Sequence, residues 1–244
     1  MYIVKKNILK IFRRFGYQLA KIKPGNGPEL DVLYYIVSHL LKENRDGYLV
    51  QIGANDGITN DPVRNIIMDF KVPSILIEPQ PAIFKILARN YEDVSNVECV
   101  NAAIDEESST KKLFYIDPSV DYYPKWAIGI ASFNKETLLK HKRVLKDLEN
   151  NVRSAEVPTV RFDQLLKDRN VSKVFILQVD TEGYDFIILK HVFSCNFTPS
   201  IIQYEHKHLS AKDQYQCREL LSRKNYSFIS SDFDTIAVLN AIRK

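Results

Sequence analysis

From residue 48 onward, short apolar runs that read as strands alternate with stretches whose apolar side chains recur at helical spacing. This alternation leaves few folds open, because a strand covered on both faces is apolar throughout and the covering helices return the chain to start a parallel neighbour. YLVQIG, SILIE, NVECVNAAI, KVFILQVD, SIIQYEH, YSFIS and TIAVLN supply seven strands. Helical patterns lie in ELDVLYYIVSHLLKE, DPVRNIIMDF and PAIFKILARNY, and at residues 184–193 and 211–223. In DPVRNIIMDF, Asp61 is placed to cap the helix, Pro62 takes its first position, and Val63, Ile66, Ile67 and Phe70 share one face. The expectation is an α/β fold: a Rossmann-like, mostly parallel seven-stranded sheet with helices on both faces and a C-terminal antiparallel hairpin.

The alternation breaks at residues 117–157, an insertion holding DYYPKWAIGIASF and a charged helical stretch, KETLLKHKRVLKDLENN. Ahead of the domain (29–244) stand an arm and a KPGNGP linker (1–28). Residues 1–24 carry seven basic side chains and no acid, leaving 27 basic against 30 acidic residues in the remainder. The basicity thus belongs to the arm, and a nucleic-acid partner is not expected. On a helix, Val4, Ile8, Ile11, Phe12, Phe15, Leu19 and Ile22 form one apolar stripe, opposite Lys6, Lys10, Arg13, Arg14 and Lys21. Two readings stay open: peripheral contact of residues 4–22 with an anionic membrane surface, and packing on a protein surface. Three separated cysteines without a CxxC pair exclude a disulfide framework and point to a reducing, cytoplasmic setting, at the inner face of a membrane if the arm binds one.

In a doubly wound sheet, ligands bind at the carboxyl ends of the strands. That rule gathers residues 53–57, Glu78, residues 101–105, 180–183 and 205–208 on one rim. A dinucleotide loop wants glycine where this chain has Asn55, which disfavours NAD, and no P-loop lysine is present. Glu78, at the end of the second strand, is placed to accept from ribose hydroxyls. S-adenosylmethionine meets these conditions: it has a ribose, no phosphate, and an amino-acid tail for loop amides and for Asn55 or Asp56.

VQIGANDG, ILIEPQP, VNAAID, VPTVRFDQLL, ILQVDTEGYDFIIL and IIQYEHKHL occur in the order and spacing of the FkbM family, which the chain resembles over about residues 48–209. The resemblance implies a class I methyltransferase that uses S-adenosylmethionine, mostly to O-methylate sugars and polyketide hydroxyls. It implies cofactor roles for Gly53, Asn55, Asp56, Gly57 and Glu78, joined in the candidate set by Ala54, Pro79, Ala102 and Asp180. It implies rim carboxylates, Asp180, Glu182 and Glu205, beside the transferred methyl. Residues 117–157 match the family's blocks least and are where the acceptor, a small molecule or glycan, is chosen.

A hydroxyl acceptor benefits from a base, and His206 is the first choice because an imidazole titrates near neutral pH. Asp180, Glu182 and Glu205 complete the catalytic candidates, with Asp180 and Glu205 the oxygens on offer if a divalent cation is used. His206 and His208 point oppositely if the strand continues, so at most one faces the site. Tyr123, Trp126, Ser132 and His208 are the acceptor candidates, against a reading of the aromatic segment as a self-packed cap. His39, His141 and His191 lie on helical patterns, as surface or packing residues. The rival functions are amine or nucleic-acid ribose methylation, and a non-catalytic binding module.

Overall fold

Helix α1 (Val32–Leu40) buries Leu33, Val37 and Leu40, spaced for a single helical face, and leads into β1 (Tyr48–Ile52). The computed structural model describes residues 31–41 and 46–242, so the patterns at 4–22 and 23–28 lie outside the described residues. Then follow α2 (Arg64–Phe70), β2 (Ser74–Ile77), α3 (Pro81–Asn90) and β3 (Val97–Val100). After an insertion come α7 (Phe162–Lys167), β8 (Val174–Val179), α8 (Asp185–Ser194), β9 (Ile201–Glu205), α9 (Ala211–Arg223), β10 (Tyr226–Ser230) and β11 (Asp234–Leu239).

The seven strands lie in the order β10-β11-β9-β8-β1-β2-β3. Only β11 runs against the rest, pairing antiparallel with β9 and β10. The chain steps outward from β1 through β2 to β3 and later resumes on the other side of β1 with β8. That reversal beside β1 is the switch point where such sheets open a crevice. Alternation along the strands feeds two cores. Val50, Ile52, Ile75, Ile77, Leu177 and Val179 face α7, α8 and α9, whereas Leu49, Leu76 and Ile176 face α1, α2 and α3.

The helix starts two residues later than the sequence suggests, with Val63 as its N-cap, so Pro62 precedes it. Asp61 Oδ1 instead holds the turn before it, accepting from the amides of Val63 and Arg64 at 2.7 and 2.9 Å. Val63, Ile66 and Ile67 are buried, with regular helix beginning at Arg64. The run NVECVNAAI is not one strand. Asn101 Nδ2 donates to the carbonyls of Glu78 and Pro79 at 2.8 and 3.2 Å, which turns the chain out of the large sheet after β3. Ala103–Ile104 (β4) then joins a second sheet.

That second sheet makes the insertion larger than residues 117–157. Its frame is β5 (Ser109–Ile116) paired antiparallel with β7 (Val152–Val160) over eight residues, with β6 (Ala131–Ser132) along β5. Between them lie α4 (Lys125–Ile128), α5 (Lys135–Leu139), a 3-10 turn (Lys140–Arg143) and α6 (Leu148–Asn151). The charged stretch is therefore a set of short turns; Asp147, at φ 54°, interrupts it in left-handed geometry. Ile116, Tyr123, Ala127, Ile130, Leu138, Leu145 and Leu148 give these turns a core of their own. No helix among the described residues is long and apolar enough to cross a membrane.

Candidate active site

Two cavities meet above the carboxyl ends of the central strands, sharing Gly53, Asn55, Trp126, Asp180 and Glu182. The first, of about 110 Å³, is roofed by the insertion through Ala131, Ser132 and Phe133 and floored by Ile52, Ile77 and Glu78. Glu78 is buried at the end of β2. Its Oε2 accepts from Asn55 N at 2.9 Å and its Oε1 from Gln80 N at 2.8 Å. Each oxygen keeps a further acceptor direction, because a carboxylate offers about four such sites. Burial pushes Glu78 up to about 7 against the pull of the two amides.

Gly53, at φ 82°, makes the turn leaving β1; a Cβ there would overlap the carbonyl oxygen of Asp180. The two strand ends touch main chain to main chain, which needs glycine. Asn55 and Glu182 follow in left-handed geometry, at φ 48° and 53°, an unfavourable conformation for L side chains that concentrates at functional sites. Across the cavity, a Cβ on Gly129 would overlap the Asn55 side chain, so the insertion closes directly on this loop.

The second cavity, of about 300 Å³, is lined by Asp180, Glu182, Glu205, Lys207, His208 and His141. His208 Nε2 lies 3.3 Å from Glu182 Oε2 and 3.7 Å from Glu205 Oε1. Burial and the Asp180 charge raise Glu182 to about 8; burial, Asp180 and Glu182 raise Glu205 to about 9. Asp180 is open to the cavity yet ringed by protein, and burial with the Asp234 charge raises it to about 6. His208 is pushed down to about 4 by burial and by Lys207. Gln51 and Gln178 also line this cavity and stand opposite one another on β1 and β8, with Gln203 next in the row on β9. The buried Oε1 atoms of all three lack a hydrogen-bond partner.

Residues 51–228 match the methyltransferase FkbM domain. The chain belongs to the FkbM methyltransferase family. Among solved structures, it is similar to an FkbM methyltransferase from Methylobacillus flagellatus KT at 14% identity and a TM-score of 0.48, over 80% of this chain and 44% of that one. It thus spans less than half of that protein's length. It is also similar to an O-methyltransferase from Bacillus cereus in complex with SAH, at 9% identity and a TM-score of 0.44, over 96% and 89% of the two chains. A third likeness, to the Methanococcus jannaschii fibrillarin pre-rRNA processing protein, has 12% identity and a TM-score of 0.43, over 80% and 67%. No curated protein matches the sequence.

Within this FkbM-family chain, Gly53, Asn55, Glu78, Pro79, Ala102 and Asp180 all line the first cavity, and Ala54 lines the second. Asp56 and Gly57 line neither. The Asp56 carboxylate closes its own turn, Oδ1 accepting from the amides of Ile58 and Thr59 at 2.8 and 2.7 Å and Oδ2 from the Thr59 hydroxyl at 2.7 Å. Gly57 packs beneath the Tyr91 ring and Leu87. The first cavity carries Glu78, Asp180 and Glu182 and, among the described residues lining it, no lysine or arginine. With Asp180 ionised at neutral pH and Glu78 partly so, and no such cation to offset them, these walls disfavour phosphates and suit a cation, and the residues fit a ribose-bearing sulfonium cofactor.

The choice of His206 as base fails on geometry. Its ring is buried, with Nδ1 3.1 Å from Thr235 Oγ1, and its amide donates to Phe233 O, drawing the residue behind the rim. His208 faces the cavity in its place. Tyr123 is likewise no acceptor contact, because it belongs to the insertion's own core and its hydroxyl bonds to Lys146 O. Trp126 lines both cavities and Ser132 the first. His191 packs, its Nε2 accepting from Phe162 N at 3.2 Å. His141 does not merely pack: it reaches the second cavity, with ring centroids 5.9 Å from Trp126 and 5.6 Å from His208. Thr181, inside the rim segment 180–183, lines the first cavity as expected. Tyr184 and Gly129 line it without having been singled out, although Tyr184 belongs to the DTEGYD block and stands one residue past that segment.

Proposed function

We propose that this chain transfers a methyl group from S-adenosylmethionine to a hydroxyl of a glycan, glycolipid or related metabolite. The second cavity carries this reading: beside Lys207 and two imidazoles it gathers Asp180, Glu182 and Glu205 over a row of glutamines whose oxygens lack partners, and it opens onto the first cavity at Asp180. Buried acceptors call for a donor-rich ligand, and a polyhydroxylated one supplies an O–H at each of several oxygens.

Bound in the first cavity, S-adenosylmethionine would supply an electrophilic methyl carbon on a sulfonium that leaves as a neutral thioether. Glu78 would hold the ribose hydroxyls, and the cavity's acidic walls would favour the cofactor's positive charge. Trp126 borders the junction on both sides, and Phe133 covers the first cavity. Asp180, which opens to both cavities, takes the acceptor's proton at a carboxylate oxygen as the new O–C bond forms. The remaining gain is positional, since Asn55, Glu182 and Gln178 fix acceptor and donor in one line.

Calorimetric titration with S-adenosylmethionine and with NAD, in the native protein and in Glu78→Ala, tests the cofactor. Binding of the first alone, lost in the variant, is expected; no binding by folded protein defeats the reading. Transfer of labelled methyl to oligosaccharides, amines and RNA tests the acceptor, with label on hydroxyl carbon–oxygen bonds expected. The acidic second cavity also favours an amine, and label on nitrogen would select that acceptor instead. Residues 4–22 are proposed to hold the enzyme at an anionic membrane surface in a reducing compartment, on the strength of their basic and apolar faces.

A further inference from the structure

His141 comes from the insertion, Glu182 from the turn after β8 and His208 from the turn after β9, three segments distant in sequence. One ligand atom from each lies within 4.8 Å of the others, at the wall of the second cavity. Ligands about 2.1 Å from one metal ion sit roughly 3.0–3.4 Å apart in octahedral or tetrahedral geometry, so small side-chain rotations close the set. We propose that His141, Glu182 and His208 form a binding site for a divalent transition-metal ion of the zinc and manganese class.

Two of the three groups leave an atom that an ion would use without a hydrogen bond. His141 Nε2 and Glu182 Oε2 are buried and have no hydrogen-bond partner, although Glu182 Oε2 and His208 Nε2 are only 3.3 Å apart. Glu205 Oε2, on the same wall, is buried and unpartnered as well. A buried acceptor left this way is costly, and one cation satisfies several at once. A second triad, Asp163, His191 and Cys195, meets the same distance condition but is already engaged. Arg161 holds both oxygens of Asp163 at 3.0 Å, and His191 Nε2 accepts from Phe162 N.

The choice of ion follows from the donors. Magnesium and calcium take oxygen ligands, whereas two imidazoles with one carboxylate suit zinc, manganese or iron and leave coordination positions open. Here those positions face the second cavity. This assignment differs from an all-oxygen site at Asp180 and Glu205, and it gives the insertion a tie to the sheet through His141. It stands independently of methyl transfer, because metal binding is read without cofactor or acceptor.

The test is calorimetric titration of metal-stripped full-length protein with Zn²⁺, Mn²⁺ and Mg²⁺, alongside His141→Ala, His208→Ala and Glu182→Gln. Far-ultraviolet circular dichroism of each metal-free variant establishes that it is folded. Native protein is expected to bind one Zn²⁺ or Mn²⁺ ion, and each folded variant to bind it at least about 10-fold more weakly. The bound ion should raise Tm in the native protein and not in His141→Ala. Absence of binding, or binding undiminished in both histidine variants, overturns the site. Magnesium binding equal to that of manganese and insensitive to both histidines also overturns it, in favour of the oxygen-only set.

Discussion

A carboxylate held between two amides and shut away from water has its charge balanced between opposing influences, and Glu78 is in that position. Burial has raised it to about 7, so near neutral pH both protonation states are populated. Ribose hydroxyls donate more strongly to the ionised form, so cofactor binding favours ionisation. Affinity for S-adenosylmethionine should therefore rise with pH by up to about tenfold per unit below pH ~7 and level off above it. Calorimetry across that range checks this, and Glu78→Gln should bind more weakly with the slope removed. Stability runs the other way. An acid whose folded pKa is raised takes up protons on folding, so its contribution is full below the unfolded value of 4.5 and is lost as pH rises through about 7. Cofactor-free protein should lose thermal stability over that window, less so in Glu78→Gln. Of the two histidines after β9, His206 is the one turned away from the cavity, so its role contrasts with that of Asp180. His206→Ala should lower Tm through its lost bond to Thr235 while leaving kcat within a few-fold, whereas Asp180→Asn should lower kcat by about 10²–10⁴-fold. Steady-state kinetics with matched melting curves separates them. The sequence limits the rim to one of these histidines by alternation but not to which, because β9 ends at Glu205 and a bond to Phe233, 27 positions on, sets the turn.

At the scale of elements, the loop after β1 and the insertion depend on one contact. Gly129 has ordinary helical dihedrals, so alanine there strains no backbone, but its Cβ would displace the Asn55 amide that borders both cavities. Gly129→Ala should weaken S-adenosylmethionine several-fold with little change in Tm. Gly53→Ala is the contrasting case. Left-handed backbone costs roughly 1–2 kcal/mol for an L side chain, and overlap with the Asp180 main chain adds about 1–3 kcal/mol more. A fall in Tm of about 5–12 °C together with lost binding is expected. The contrast also marks what sequence could convey. Gly53 ends a strand of strong pattern and stands out, whereas Gly129 lies among turns whose order depends on the distant pairing of β5 with β7. STKKLFYI shows little apolar alternation because most of its side chains are exposed or half-buried, so the frame of the insertion left no periodic trace.

For the molecule as a whole, the sheet order follows from seven apolar runs and their connections, and the site follows from where the chain reverses beside β1. Those relations rest on burial, which patterning records. The placement of His141 opposite Glu182 and His208 rests on how the insertion's small core docks over the sheet, which patterning does not record. Charge is the other property that acts at this scale. The cavities are acidic while residues 1–24 are strongly basic, so the two ends of the proposed task have opposite polarity. An acidic cleft disfavours anionic headgroups, and a basic arm favours them. Full-length protein should therefore sediment with vesicles containing anionic lipid and release as salt rises, while S-adenosylmethionine affinity stays unchanged. Replacing Lys6, Lys10, Arg13 and Arg14 with serine should remove about 1 kcal/mol of membrane attraction per residue, on the order of 10³ in partitioning. Vesicle sedimentation of the two proteins, with cofactor calorimetry alongside, decides the matter: equal partitioning assigns the arm to a protein surface, and unequal partitioning with equal cofactor binding assigns it to the membrane.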